Sequence, residues 1–371
     1  MPDKQRNIAY CICTYNHPDV VDEVVGKIID IFEEYGLDIY VFDSGTDAKT
    51  YEIVQGYAAE HGNIFHVRMD EGTSFDEKIR YVMTEYIFPH NYKYIWPVKD
   101  RVYIGESMCR RIVEAAQQDY DMIFCNVLSN EKYAPVNGCA GGVYDSAVKF
   151  YEDYGWLMTS LDAGIYRRAS VRKVIFGDFI NECGWHRESC FTHFMLAFYM
   201  LSLIEAPQIL IVTPEAGEWG SSDKCGSMWT DRTLEIWVGR WYEANVQLPS
   251  VYAGSRERVK KAATSLPWIM GTATALVYLH LNGILDKNTV ELYGDIWDKV
   301  CDIPLEDVRL IARDSYHELA DRQVDRIVQL VEKGDIVEAV NTYLDNEWMS
   351  ATDYKEQYAV LGKELSKLLN A

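Results

Sequence analysis

Three short polar clusters, each placed directly after an apolar run, carry side chains suited to hold a polar ligand. They occupy residues 14–16, 43–46 and 99–101. Hydroxyl, amide and carboxylate groups exchange hydrogen bonds with a ribose or a base, and basic side chains neutralise phosphate charge. Asp43 is suited to accept hydrogen bonds from a ribose or base, although an aspartate there equally fits a turn-capping role. The clusters are therefore the first candidates for a binding site.

The apolar runs alternate with segments of helical periodicity. We expect strands at residues 7–13, 38–42, 64–67, 92–98 and 121–126. Helices are expected between them, with starts marked by Pro18, by a capping box from Ser74 to Glu77 and by Gly105. This alternation predicts an α/β fold with a mostly parallel sheet covered by helices on both faces. Ligands bind at the carboxyl ends of such strands, which is where the clusters lie.

Two common nucleotide-binding motifs do not occur in the sequence. No Gly-x-Gly-x-x-Gly follows the first apolar run, and no phosphate loop with Gly-Lys-Ser or Gly-Lys-Thr is present. Both motifs bring backbone N–H groups against phosphates. Their absence argues against a nicotinamide-binding Rossmann domain and against a phosphate-loop hydrolase.

Charge and hydropathy exclude further classes. The 371-residue chain holds 57 Asp and Glu against 36 Lys and Arg, a formal charge of −21. Such a surface repels a phosphate backbone, so we expect no nucleic-acid partner. Glu205 and Pro207 interrupt the longest apolar stretch, residues 191–212, so no membrane span is expected. Nine cysteines without a framework spacing, and an N-terminus without an apolar signal core, predict a cytoplasmic protein with reduced thiols.

The first two clusters resemble the opening loops of family 2 glycosyltransferases. The likeness rests on Cys13-Thr14-Tyr15-Asn16-His17-Pro18, on Val41-Phe42-Asp43-Ser44-Gly45-Thr46-Asp47, and on Asp70-Glu71-Gly72-Thr73-Ser74 through Lys78. It covers residues 7–105 well and residues 160–252 loosely. The resemblance implies a GT-A fold, an α/β unit that binds a nucleotide-sugar. The implied nucleotide pocket is lined by Thr14, Tyr15, Asn16, Asp43, Ser44 and Lys78, and for Lys78 a solvated helix face is the alternative.

The third cluster departs from that family. Its members usually carry Asp-x-Asp, which ligates Mn²⁺ or Mg²⁺ against the diphosphate, whereas this chain has Lys99-Asp100-Arg101. Three interpretations stay open. Asp100 holds the divalent metal together with phosphate oxygens and water. Alternatively, Lys99 or Arg101 supplies positive charge directly, or the three residues form a surface ion-pair cluster in an inactive enzyme.

The resemblance also implies a base on the acceptor side. In the family, an acidic pair at a helix start takes the proton of the attacking hydroxyl. Glu188 matches the first acid of that pair and Ser189 replaces the second. An acid at residue 188 also suits a helix N-terminus on electrostatic grounds alone. Asp178 and Glu182 are fallback bases, and His186 could orient Glu188.

Residues 214–230 form a segment rich in Gly, Ser and Trp, without a clear period, which we interpret as a mobile flap. In the resembled family the corresponding loop folds over the donor diphosphate. The resemblance implies that Trp219 stacks on a sugar and that Ser221 or Ser222 bonds phosphate. Structural tryptophans in an ordinary loop are the alternative.

The character of the sequence changes near residue 252. We expect a nucleotide-sugar-binding catalytic domain over residues 1–252 and a helical region over residues 253–371. Amphipathic helices are expected at residues 305–320, 324–333 and 354–369. Their apolar stripes pack on the catalytic domain, dock a partner or mediate homo-oligomer formation. Residues 240–252 show a weak resemblance to bacterial cell-surface polysaccharide enzymes.

The resemblance thus implies a cytoplasmic glycosyltransferase that moves a sugar, with inversion, from a UDP-sugar to an acceptor hydroxyl. The implied acceptor is a glycan or a lipid-linked molecule in bacterial surface glycan synthesis. A non-catalytic nucleotide-sugar-binding or scaffold protein of the same fold is one alternative. A sugar nucleotidyltransferase is another, although it would normally show a Gly-rich Arg-Lys loop that residues 14–18 lack.

Overall fold

Apolar runs form the strands around which the chain folds. The computed structural model describes residues 6–127, 142–175, 188–215, 217–224, 230–266 and 269–369. In chain order the strands are β1 (Ile8–Thr14), β2 (Leu37–Asp43), β3 (Ile64–Arg68), β4 (Tyr94–Lys99), β5 (Val102–Ile104), β6 (Met122–Cys125), β7 (Gly142–Tyr144), β8 (Gly164–Arg167), β9 (Ile209–Val212) and β10 (Trp219–Ser221).

Among the described residues, eight strands form one sheet in the order β3-β2-β1-β4-β8-β6-β9-β7, and β5 pairs with β10. Strand β8 runs antiparallel to β4 and β6, and β7 runs antiparallel to β9, while the other pairs of the large sheet are parallel. Every residue of β1 and β2 is buried. Because successive side chains of a strand point to opposite faces, both faces of these strands are covered. The expected α/β fold with a mixed, mostly parallel sheet is confirmed.

The register of the sheet brings the polar clusters to one edge. Thr14 is the pairing partner of Asp43, and Cys13 is the pairing partner of Lys99. The parallel strands β1, β2 and β4 therefore end side by side. The clusters that follow them lie at the same carboxyl edge, as the alternation of strands and helices predicts.

The connecting helices of this part begin at the expected signals. They are α1 (Pro18–Tyr35), α2 (Lys49–Ala58), α3 (Phe75–Arg80), α4 (Glu106–Gln117), and the helices Ala147–Tyr154, Arg168–Ile175 and Thr192–Ser202. Helix α1 has its proline in the first turn and ends at Gly36, whose φ of 76° is left-handed. Helix α3 starts with the complete capping box of Ser74 and Glu77 and continues as a π-helix, Tyr81–Tyr86.

The chain divides into two compact units. The first comprises residues 1–227 and 243–259, and the second comprises residues 228–242 and 260–371. The helices Trp241–Val246 and Arg256–Thr264 and the π-helix Glu235–Arg240 lie around these divisions. The domain boundary expected at residue 252 stays a prediction.

The second unit is helical in its described residues. Its helices are Ala273–Leu281, Lys287–Trp297, Leu305–Ile311, Tyr316–Lys333, Ile336–Leu344 and Lys355–Leu369. The prediction of one helix over residues 305–320 is wrong, because Asp314 adopts a left-handed φ of 57°, which no α-helix accommodates. Within the described residues, no helix is both long enough and apolar enough to cross a bilayer.

Candidate functional site

Hydrogen bonds tie the end of β1 to the end of β4. The Thr14 hydroxyl, which is buried, donates to Asp100 Oδ2 over 3.0 Å. His17 Nδ1 lies 2.8 Å from the same carboxylate oxygen. Asp100 itself is 7% exposed. The first and third polar clusters therefore meet in one hydrogen-bonded group.

The loop after β1 is also interlocked with the loop after β2. Asn16, at a left-handed φ of 56°, accepts hydrogen bonds on Oδ1 from the Thr46 N–H over 2.7 Å and from the Thr46 hydroxyl over 3.2 Å. A Cβ at Gly45 would lie 2.9 Å from Asp43 Oδ1 and 3.0 Å from Asn16 Oδ1, so this close approach requires glycine. Tyr15 remains exposed next to this contact. The first and second clusters form one surface.

Asp43 is buried beneath this surface. Its Oδ1 accepts the Gly45 N–H over 2.7 Å, and its Oδ2 lies 3.1 Å from Arg68 Nη1 and 3.3 Å from His66 Nε2. Burial raises the pKa of the Asp43 carboxyl, but the hydrogen bonds from His66 and Gly45 outweigh it and hold the pKa below its usual value. Both carboxylate oxygens thus have protein partners. The Arg68 side chain is about half exposed, so its guanidinium is the part of this cluster that solvent reaches.

Ser44 and Lys78 lie behind the same loops. Ser44 is fully buried, and its Oγ has no hydrogen-bond partner among the described residues. Lys78, on α3, donates from Nζ to the Thr14 carbonyl over 2.5 Å and lies 5.7 Å from the centre of the Tyr15 ring. Lys78 is 4% exposed, and burial lowers its pKa. It therefore does not sit on a solvated helix face.

The third cluster contains one ion pair that the sequence did not predict. Lys99 Nζ lies 3.0 Å from Asp162 Oδ2, and the Lys99 N–H donates to Asp162 Oδ1 over 2.7 Å. The Arg101 carbonyl accepts a hydrogen bond from the Ser222 N–H over 2.8 Å. The Lys99 side chain is thus paired with Asp162, and the backbone of Arg101 is bonded to that of Ser222.

The described residues do not form a metal site by themselves. Hard cations such as Mg²⁺ and Mn²⁺ take about six oxygen ligands. Within the described part of the chain, no group of three or more His, Cys, Asp or Glu side chains is placed to hold a metal ion. Asp100 offers one carboxylate, and its Oδ2 already accepts from Thr14. This donor set alone does not fit a metal ion.

The segment that carries Glu188 is anchored to α3. Glu188 is exposed, and the backbone N–H groups of Ser189 and Cys190 both donate to Asp76 Oδ2, the second over 2.8 Å. Since α3 also carries Lys78, Glu188 is linked through one short helix to the loop after β1. The fallback bases Asp178 and Glu182, and His186, lie outside the described residues.

The segment expected to be a flap contains a strand. Strand β10 pairs with β5 in an antiparallel ribbon. Trp219 is 8% exposed and its ring lies 6.2 Å from that of Trp96, so it packs inward. Ser221 pairs with Val102, and the Ser222 hydroxyl donates to Glu23 Oε2 over 2.8 Å. The expectation of an irregular segment is wrong for residues 219–221, because three-residue strands are too short to show a period.

An open groove lies beside the Asp43 loop. Its volume is about 730 Å³, and its lining includes Arg68, Asp70, Gly72, Thr73, Arg80 and Tyr81. The Gly72 N–H donates to the Ser44 carbonyl over 3.2 Å, which joins this groove to the end of β2. Arg68 belongs both to the groove and to the Asp43 cluster.

Sequence reasoning missed four residues of this arrangement, namely His17, Arg68, Asp76 and Asp162. Arg68 ends β3 and His17 stands directly before α1, in the loop after β1, so their positions offered a signal. Asp76 stands in the capping-box segment, and Asp162 lies in a short 3₁₀ turn, Leu161–Ala163. For these two acids no local pattern indicates the partner.

Comparison with known proteins finds solved structures with a similar fold. No family model and no curated protein sequence matches the chain. Among solved structures, it is similar to S. aureus TarS 1–349, with a TM-score of 0.50 and 13% identity over 84% of this chain and 91% of that chain. The same segment in complex with UDP gives a TM-score of 0.48 at 12% identity, over 84% and 91% of the two chains. The Pyrobaculum calidifontis mannosyltransferase PcManGT, in complex with GDP-Man and Mn²⁺, gives 0.43 at 15% identity over 80% and 81%. The likeness to TarS shows a GT-A-like fold.

Proposed function

We propose that the protein is a glycosyltransferase that moves a sugar from a UDP-sugar to an acceptor hydroxyl with inversion. The observation that carries the proposal is the hydrogen-bonded edge at which β1, β2 and β4 end. Thr14 contacts Asp100 there, and Asn16 contacts Thr46. In a GT-A-like fold, this edge is the position expected for a nucleotide-sugar.

The nucleoside lies, in this proposal, against the loop of Thr14, Tyr15 and Asn16. Tyr15 supplies an exposed ring beside Lys78. Because Asp43 is completely buried and bonded to Arg68, it acts by orienting Arg68, whose guanidinium donates to the nucleoside. Ser44 keeps the loop closely packed from its buried position.

The diphosphate lies over the third cluster. Lys78, Arg101 and the dipoles of the neighbouring loops oppose its charge, and Ser221 borders it, whereas Trp219 packs inward against Trp96 and the Ser222 hydroxyl donates to Glu23. Stabilising the leaving diphosphate is the electrostatic part of catalysis, since preorganised donors strengthen as charge develops on the leaving oxygen. Lys99 is already paired with Asp162, so its contribution is to fix the end of β4.

Glu188 takes the proton of the acceptor hydroxyl. The acceptor oxygen attacks the anomeric carbon as the bond from that carbon to the UDP oxygen breaks, so UDP leaves with its electron pair and the configuration inverts. A general base typically contributes 10²–10⁴-fold to such a step. The anchoring of residues 189 and 190 to α3 supports this assignment, because it fixes the base relative to the donor loops.

Metal dependence is a separate part of the proposal. The resemblance implies Mn²⁺ or Mg²⁺ at Asp100, where a bound cation would offset diphosphate charge with most ligands supplied by phosphate and water. UDP titrations with and without EDTA test it. An affinity that EDTA leaves unchanged removes Asp100 as a metal ligand and leaves the charge to Lys78 and Arg101.

For the acceptor, we propose a hydroxyl of a glycan or lipid-linked molecule in bacterial surface glycan synthesis, acted on in the cytoplasm. The proposal is supported by the resemblance of residues 240–252 and by free cysteines such as Cys11 and Cys125, which suit a reducing compartment.

For the C-terminal helices, we propose that their exposed apolar side chains, such as Leu281 and Leu292, serve homo-oligomer contacts.

Release of the nucleoside diphosphate (UDP from UDP-sugars, GDP from GDP-sugars), with and without candidate acceptors, tests the proposed function. We expect wild-type turnover to fall 10²–10⁴-fold in Glu188→Gln while UDP affinity stays within threefold. Glu52→Gln, an exposed acid on α2, is the matched control and is expected to keep full activity. UDP binding without turnover of any donor would instead support a scaffold protein.

A further inference from the structure

A buried carboxylate on α3 holds the two residues that follow Glu188. Asp76 is 2% exposed. Its Oδ2 accepts hydrogen bonds from the N–H groups of Ser189 and of Cys190, the second over 2.8 Å, and the Ser189 hydroxyl lies 3.4 Å away. Successive N–H groups that converge on one anion make a strong, charge-assisted contact. This contact joins segments 113 residues apart in the sequence.

The turn that Asp76 holds has an unfavourable backbone conformation. Cys190 has a φ of 62°, in the left-handed region that residues other than glycine rarely adopt. Such a conformation persists only where surrounding contacts enforce it. The Cys190 N–H donates to Asp76, and the Ser189 hydroxyl accepts the Phe191 N–H over 3.0 Å. Asp76 thus fixes the turn between Glu188 and the helix Thr192–Ser202.

Helix α3, which carries Asp76, also reaches the donor side of the site. Lys78 follows Asp76 by two positions and donates to the carbonyl of Thr14. One face of α3 therefore contacts the loop after β1 while its first turn contacts the segment after Glu188. The spacing between the donor loops and Glu188 depends on this helix.

We propose that Asp76 is a positioning residue for the transfer reaction, which fixes the direction of Glu188 toward the donor by holding the backbone of residues 189 and 190. This inference rests on the proposed function. Asp76 Oδ1 is buried and has no hydrogen-bond partner among the described residues. An asparagine can therefore keep its oxygen at the Oδ2 position and place its nitrogen at the Oδ1 position, which preserves the hydrogen bonds and removes the charge.

Steady-state kinetics of the full chain with a UDP-sugar test the proposal. Asp76→Ala is expected to lower kcat ten- to hundredfold, because a misplacement of about 1 Å between reacting groups costs on this order. The donor KM and the UDP affinity are expected to change less than threefold. Asp76→Asn is expected to lose only two- to fivefold in kcat.

The control removes a carboxylate elsewhere in the same unit. Asp121 accepts from the Ser170 hydroxyl over 2.6 Å and from the Gln208 N–H over 2.9 Å, and so also ties distant segments together. Asp121→Ala is expected to lower the melting temperature without lowering kcat. A kcat that falls equally in Asp121→Ala and Asp76→Ala shows a general loss of stability and overturns the positioning role.

A second substitution separates positioning from folding. Glycine adopts a φ near 62° without strain, so Cys190→Gly in the Asp76→Ala background is expected to restore kcat at least fivefold. Hydrogen exchange gives a readout that needs no turnover. The amides of residues 189 and 190 are expected to exchange at least tenfold faster in Asp76→Ala than in the wild type.

Several outcomes overturn the inference. The first is an equal kcat in the wild type and Asp76→Ala. The second is no recovery of kcat when Cys190→Gly is added to Asp76→Ala. The third is an unchanged exchange rate of the amides of residues 189 and 190 in Asp76→Ala. If Asp76→Ala does not fold, the exchange of the amides of residues 189 and 190 is compared between Asp76→Asn and Asp76→Leu, and equal protection in these two variants rejects the role. If the wild type turns over no donor, the proposed function fails and the positioning role of Asp76 in transfer fails with it. The exchange comparison separately shows whether Asp76 holds the turn.

Discussion

Single side chains at the candidate site hold the surrounding loops in place. Lys78 is buried on α3 and donates to the Thr14 carbonyl, and burial lowers its pKa while the nearby acids Asp43 and Asp100 oppose that shift. A basic group in this position fixes the loop after β1 and places positive charge below it. The proposed contribution of Lys78 to nucleotide binding can therefore be measured by replacing this residue.

We expect Lys78→Met to weaken UDP binding about ten- to hundredfold, which corresponds to the loss of one hydrogen bond from a charged donor. Isothermal titration calorimetry with UDP measures the change. Lys149→Met is the matched control, because Lys149 is exposed and pairs with Asp153 on the surface of the same unit. Equal UDP affinity in Lys78→Met and the wild type would show that the diphosphate lies elsewhere.

The sequence predicted which residue types stand at the strand ends but not the partners they contact. Thr14, Asn16 and Asp43 could be located because each directly follows or ends a run of apolar residues. The acids Asp76 and Asp162 contact segments 113 and 63 residues away. Partners at such separations depend on how the elements pack, and no local pattern carries that information.

At the scale of secondary-structure elements, the helix Thr192–Ser202 begins with a buried histidine. His193 is 1% exposed, and burial lowers its pKa to about 4, although the nearby acids Asp76 and Asp162 act in the opposite direction. The unfolded chain binds the proton near pH 6.5. Between these two pH values the unfolded state holds more protons, so the stability of the fold falls as the pH falls.

We expect the wild type to lose about 3 kcal/mol of stability between pH 6.5 and pH 4 through this residue. His193→Gln cannot take up the proton in either state and is expected to flatten that part of the curve. Urea unfolding across the pH range measures the slope. His317→Gln, at an exposed histidine, is expected to keep the wild-type slope, and parallel curves for the wild type and His193→Gln would contradict the assignment.

Elements with long, regular runs of apolar residues were predicted more accurately than short ones. Strands β1 and β2 and helix α1 were located to within a residue or two, because their buried residues form long regular runs. Strand β10 was missed, since its three residues pair with β5 across more than a hundred positions. The break at Asp314 was missed because an aspartate shows no sign of its left-handed conformation in the sequence.

At the scale of the whole molecule, the candidate site lies within the first compact unit. Thr14, Asp43, Lys78, Asp100 and Glu188 all belong to residues 1–227. The alternation of strands and helices was enough to predict the fold class, because such patterns have few packing solutions. The position of the unit boundary depends on tertiary contacts that the pattern does not specify.

A substitution in the second unit tests whether nucleotide binding depends on the first unit alone. A Cβ at Gly271 would lie 2.0 Å from the Ser265 carbonyl oxygen, so the backbone has to shift. We expect Gly271→Ala to destabilise the second unit by about 1–3 kcal/mol and to leave UDP affinity within twofold. Denaturation and calorimetry measure the two effects. A parallel loss of UDP affinity would show that the second unit contributes to the site.

The position of UDP in a crystal structure of its complex with the protein tests the central claim most directly. The account predicts the nucleoside against Tyr15 and Arg68, the diphosphate beside Asp100, and the Glu188 carboxylate facing the terminal phosphate across the sugar position. UDP bound away from the ends of β1, β2 and β4, or a Glu188 carboxylate turned away from that edge, would contradict it.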